Sequence, residues 1–94
     1  MYEQIGADAE IDHEGPQAPY LQLVEILVAR IRRGDWDQGR PIASETRLVQ
    51  EYGLARSTVR RSIKVLAQEG WVHVVPHRGT YVARTSDEQE QEQE

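Results

Sequence analysis

Residues 44–70 read SETRLVQEYGLARSTVRRSIKVLAQEG, and this stretch decides the fold. Ser44 offers an oxygen to the free N–H groups that open a helix, and Leu48, Val49 and Tyr52 follow as its inward face. Gly53 tolerates the left-handed stop that ends it. After Leu54 and Ala55 a second helical period starts, from about Arg56 to Glu69, with Val59, Ile63 and Leu66 pointing to a core. Ser57, Arg60, Arg61 and Lys64 fall on the opposite face, and Gly70 terminates the helix. Two short helices joined by a glycine-containing turn make a helix-turn-helix.

The reading extends in both directions. Upstream, Tyr20, Val24, Leu27 and Ile31, flanked by Leu23 and Ile26, predict an amphipathic helix from Pro19 to Arg33. Pro19 suits its first turn, and Arg30, Arg32, Arg33 and Gly34 suit its C-terminal end. A polar connection, DWDQGRP, joins it to Ile42. Downstream, Trp71–Val75 and Thr80–Ala83 are rich in β-formers and flank Pro76-His77-Arg78-Gly79, which predicts a hairpin. On that hairpin Val72 and Val74 are expected to face inward and His73 outward, while Trp36 and Trp71 are expected to pack. The fold class is mainly α with a small β-hairpin: three helices followed by a two-stranded wing.

Composition sets the boundaries. The 94 residues suit one small domain, and 38% apolar content with a mean hydropathy of -0.68 allows only a modest core. No apolar run approaches membrane-spanning length and no cysteine is present, and the acidic start without an apolar stretch is not expected to be a secretory leader. A cytoplasmic location is expected. The net charge of -5 hides a split. Residues 1–19 carry five acids and no Lys or Arg, and so do residues 85–94. All 11 bases therefore lie in residues 20–84 with six acids, giving 11 - 6 = +5 between ends that total -10. Residues 1–18 are read as a disordered acidic arm, 19–84 as the folded domain, and 85–94, TSDEQEQEQE, as a disordered acidic tail. The acidic ends either keep the chain soluble or compete with phosphate for the basic centre.

The basic centre carries the chemistry. The second helix of a helix-turn-helix enters the DNA major groove, with its N-terminal residues reaching base edges. Arg56 and Arg60 can each hold guanine O6 and N7, and Ser57 and Thr58 can meet bases or phosphates. Arg61 and Lys64 are expected on phosphates. His77 and Arg78 beside Gly79 place a basic tip on the wing. His13, His73 and His77 lack metal-ligand spacing, and no phosphate loop or nucleophile elbow occurs, so neither enzyme nor cofactor is expected. The alternative is a protein–protein module whose acidic tails bind a basic partner, but such a module has little use for four polar and basic residues on one helix face.

These residues together resemble the DNA-binding domain of the GntR family of bacterial transcriptional regulators. The matching positions run from Pro19-Tyr20-Leu21 through Ile42-Ala43-Ser44-Glu45, Tyr52-Gly53-Leu54 and Arg56-Ser57-Thr58-Val59-Arg60 to Arg78-Gly79-Thr80-Tyr81-Val82. The resemblance implies a winged helix-turn-helix and a double-stranded DNA partner, in most members an inverted repeat bound by a repressor dimer. It places contacts on Arg56, Ser57, Thr58 and Arg60, with a wing contact at His77, Arg78 and Gly79. Ser44, Thr46 and Arg47 at the start of the preceding helix complete the candidate set. Thr46 stands where the family has arginine, and Arg47 follows about 100° further round the helix. Ala55 replaces the usual Ser or Thr cap, Ala43 a common proline, and Arg61 the usual glutamate. No effector domain is expected within these residues, so the chain is expected to be a monomer or weak dimer that pairs on adjacent half-sites.

Overall fold

The computed structural model describes residues 6–83. Its elements are α1 (Pro19–Arg33), α2 (Glu45–Tyr52), α3 (Arg56–Gln68), β1 (Val72–Val75) and β2 (Gly79–Val82). Pro19 opens α1, and Gly34, at φ 92°, closes it by donating its N–H to Arg30 and Ile31 carbonyls. Ser44 caps α2, its Oγ accepting from the Arg47 amide at 3.0 Å. Gly53, at φ 65°, turns the chain from α2 into α3. Ala55 cannot cap, and α3 begins with no side-chain cap bond.

The core forms where α1 crosses α3 and α2 closes one side. Leu23, Leu27, Ile31, Leu48, Val59 and Leu66 are fully or almost fully buried there, with Trp71, Val72 and Val82 beneath the base of the hairpin. Ser62, absent from the expected core, is also buried; its Oγ donates to the Tyr20 carbonyl at 2.8 Å and to the Thr58 carbonyl at 3.2 Å. An otherwise costly buried hydroxyl is thereby satisfied and ties α3 to the start of α1.

The hairpin pairs Val72 with Val82 and Val75 with Gly79 in antiparallel register, and His77 takes a positive φ of 66° at its tip. The expected inward orientation holds for Val72 but not for Val74, which is 54% exposed, with Val75 38% exposed. The reason is reach: the strands run past the helices, so alternation has no core to face beyond Val72. Residues 39–42, read from sequence as connection only, pair with the free edge of β2. Gly39 donates to the Val82 carbonyl (2.9 Å), Val82 to the Arg40 carbonyl (2.9 Å) and Ile42 to the Thr80 carbonyl (2.8 Å). Pro41, bridged to Tyr81, is tolerated because an edge position needs no N–H there.

The expected disordered arm also differs in its described part. Residues 6–18 lie along α1, and Ile11 packs on the core. The buried Gln22 amide donates to the carbonyls of Asp12 (2.9 Å) and Gln17 (2.7 Å) and accepts from the Asp12 amide (2.8 Å). Gln17 donates to buried Glu25, and Arg33 pairs with Asp8 at 3.0 Å. A polar side chain that mimics a strand partner supplies what apolar composition could not. The acidic run at 85–94 lies outside the described residues.

At the end of α1, Arg33 grips Asp35 through two hydrogen bonds of 2.8 Å, and Arg30 adds a third at 2.8 Å. Arg33, and then Arg30 against the effect of burial, hold the Asp35 carboxyl down to about 2, below its ordinary 3.8. A depressed folded-state value gives stability that is present above about pH 4 and is lost as pH falls through about 2. Thermal melts of Asp35→Asn should therefore vary less than wild type between those pH values. Parallel acid limbs would show that the cluster contributes nothing on folding.

Candidate nucleic-acid interface

The exposed face of α3 is built by its period. Val59, Ser62 and Leu66 turn inward, which leaves Arg56, Ser57, Arg60, Arg61 and Lys64 exposed. Thr58 is half-buried and borders a depression shared with Pro19 and Tyr20 at the start of α1. His77, Arg78 and Gly79 are exposed at the wing tip. Between α3 and the wing runs an open groove of about 710 Å³, lined by apolar Ile63, Ala67, Val74 and Val75 and by Arg60, Lys64 and Arg78. The structure thus sets Arg60 and Lys64 of the helix across one groove from His77, Arg78 and Gly79 of the wing, whereas Ser57, Thr58 and Arg61 border depressions on the α1 side of α3.

The cations of this surface fall into two groups. Arg56 Nη1 donates to Glu45 Oε1 and Arg60 Nε to Glu45 Oε2, each at 2.7 Å. Arg56 also reaches Thr46 Oγ1, at a long 3.4 Å. Arg60, then Arg56, pull the Glu45 carboxyl below the usual range, and Glu45 raises Arg60 in return. The trio keeps one net positive charge and holds two guanidinium groups one helical turn apart. Exposed ion pairs contribute little stability, so this one matters for aim more than for folding. By contrast, Arg47, Arg61, Lys64 and Arg78 have no carboxylate partner among the described residues.

Sequence reasoning nominated Arg56 and Arg60 but missed Glu45, which joins them across the turn. Its signal was available, since Glu45 directly follows the α2 cap and the arginines are i, i+4. Only the angle between α2 and α3 brings them within reach. Tyr20 belongs by its spacing to the apolar stripe of α1, yet its ring faces Arg61, whose guanidinium carbon is 3.8 Å from the ring centroid. Among the described residues no three His, Cys, Asp or Glu side chains are grouped to hold a metal ion, and no helix is long and apolar enough to cross a membrane.

Three helices, a glycine turn between the last two and a β-wing packed behind them define a winged helix-turn-helix. Residues 19–82 match the model for bacterial regulatory proteins of the gntR family, and the chain belongs to that family. It is similar to the HTH-type transcriptional repressor NagR of Bacillus subtilis (strain 168), with 32% identity over 79 residues, covering 84% of this chain and 32% of that protein. It is 31% identical over 70 residues to the histidine utilization repressor of Pseudomonas putida, covering 74% and 28%. The chain therefore spans about a third of the length of these curated relatives. Among solved structures, the AraR domain in complex with operator ORR3 superposes with a TM-score of 0.69 at 31% identity, over 79% of this chain and 96% of that one. YtrA from Sulfolobus acidocaldarius, at 24% identity and a TM-score of 0.71 over 88% and 87%, shares the fold.

Proposed function

We propose that this chain is a sequence-specific double-stranded DNA-binding unit of a bacterial transcriptional repressor, acting in the cytoplasm. The observation that carries the reading is the cationic face of α3 set across a groove from a cationic wing tip. Its similarity to a domain solved on its operator supports it. In this reading α3 enters the major groove and Arg56 and Arg60 meet base edges. Arg47, Arg61 and Lys64 neutralise phosphates, with Ser44, Thr46, Ser57 and Thr58 as polar contacts. His77, Arg78 and Gly79 reach the minor groove or the backbone.

An inverted repeat is the expected target, bound by two chains that associate mainly on the DNA. Selection of bound fragments from a random genomic pool, followed by sequencing, tests this. Enrichment of a short motif in inverted pairs is expected. Recovery without any enriched motif would reduce the function to sequence-independent binding, and failure to retain DNA would favour the protein–protein alternative.

A further inference from the structure

Resting on the DNA-binding reading, we propose that Tyr20 is a positioning residue: it holds Arg61 for a backbone phosphate at the α1 edge of α3. The DNA footprint then extends beyond the helix-turn-helix and wing onto the start of α1.

The geometry separates Arg61 from its neighbours. Arg56 and Arg60 lean to the Glu45 side of α3, and Arg61 leans the other way, over the Tyr20 ring at 3.8 Å. A ring engages the flat face of a guanidinium and leaves its in-plane N–H donors free. A carboxylate partner would instead occupy those donors, as Glu45 does for Arg60. Arg61 has no such partner among the described residues. It is therefore oriented, charged and open to an acceptor.

Its surroundings suit an anion. Two shallow depressions share Tyr20, Ser57 and Arg61, and neither is lined by Asp or Glu. His13 from the arm borders one of them, and Lys64 borders the other. The grooves by the wing and by the arm, in contrast, include Glu45 and Asp8 respectively. The platform is rigid, because the Tyr20 carbonyl accepts from buried Ser62 and α1 packs against α3. An exposed arginine on an aqueous surface would otherwise lose considerable rotamer freedom on binding. Stacking on Tyr20 removes part of that loss beforehand. A phosphate is the occupant because the site offers a planar fork of donors that matches phosphate oxygens, on open ground without Asp or Glu.

The test uses the full chain and a mixed-sequence DNA duplex, with affinity measured across a salt series. A single phosphate contact contributes about 0.9 to the slope of log affinity against log salt. Arg61→Gln is expected to lower the slope by about that amount and to weaken binding roughly tenfold at low salt. Tyr20→Phe keeps the ring and should match wild type. Tyr20→Leu should weaken binding, and combined with Arg61→Gln it should add little beyond Arg61→Gln alone. A purely structural Tyr20 would lower the melting temperature but give an additive double variant, which overturns the proposal. An unchanged slope for Arg61→Gln beside a reduced one for Lys64→Gln also overturns it and leaves DNA binding intact. A wild-type chain with no salt-dependent affinity overturns the DNA-binding reading itself.

Discussion

Arg60→Ala and Arg56→Ala are each expected to cost about 1–3 kcal/mol on the selected site and to relax preference at one base pair. Both guanidinium groups are aimed before DNA arrives, because Glu45 takes one hydrogen bond from each at 2.7 Å. That carboxylate leaves the other N–H donors of each fork available for a base edge. Glu45→Gln keeps the shape but removes the charge, so it should broaden preference without abolishing affinity. Lys64→Ala should instead weaken every sequence alike, because an exposed lysine without a carboxylate partner contributes through phosphate. Competitive binding against single-base variants of the selected site separates the two behaviours. If Arg56→Ala and Arg60→Ala both leave affinity and preference unchanged, α3 is not the reading helix.

Trp71→Ala is expected to cost about 3–5 kcal/mol of folding stability, in the range for losing a buried aromatic side chain. Trp71 is 3% exposed at the exit from α3, where its backbone N–H donates to the Leu66 carbonyl at 2.9 Å and its backbone carbonyl accepts from the Ala83 amide at 2.8 Å. Arg32 of α1 covers the ring, 5.5 Å from its centroid. The backbone of residue 71 thus joins α3 to the strand end, and its buried ring packs in the core beneath Arg32 of α1. Small domains have about 5–15 kcal/mol in total, so the variant should melt on the order of 20 °C lower. DNA affinity should fall in proportion to the folded fraction. Trp71→Phe keeps most of the ring and should lose far less. A Trp71→Ala variant that melts within a few degrees of wild type would show that the wing is anchored elsewhere.

The helices, their order and the exposed basic face were determined by the sequence alone. Period, cap and stop signals act within a few residues: Pro19 and Gly34 bound α1, Ser44 and Gly53 bound α2, and Val59 and Leu66 fix which side of α3 turns inward. The hairpin was legible for the same reason, since its turn lies between two β-rich runs. Relations between distant segments needed the tertiary structure. The edge pairing of residues 39–42 with β2 uses backbone groups that every sequence carries, so no residue type announced it. The seating of residues 6–18 depends on one glutamine, Gln22, whose amide became a backbone partner only once α1 presented it to the arm. Val74 lost its expected inward face because strand alternation says nothing about where the body ends. The pairing of Arg56 and Arg60 with Glu45, and of Arg61 with Tyr20, was likewise decided by the angles at which α2 and α1 meet α3. Charge and period are local properties of a chain, whereas the aim of a side chain depends on what the fold places beside it.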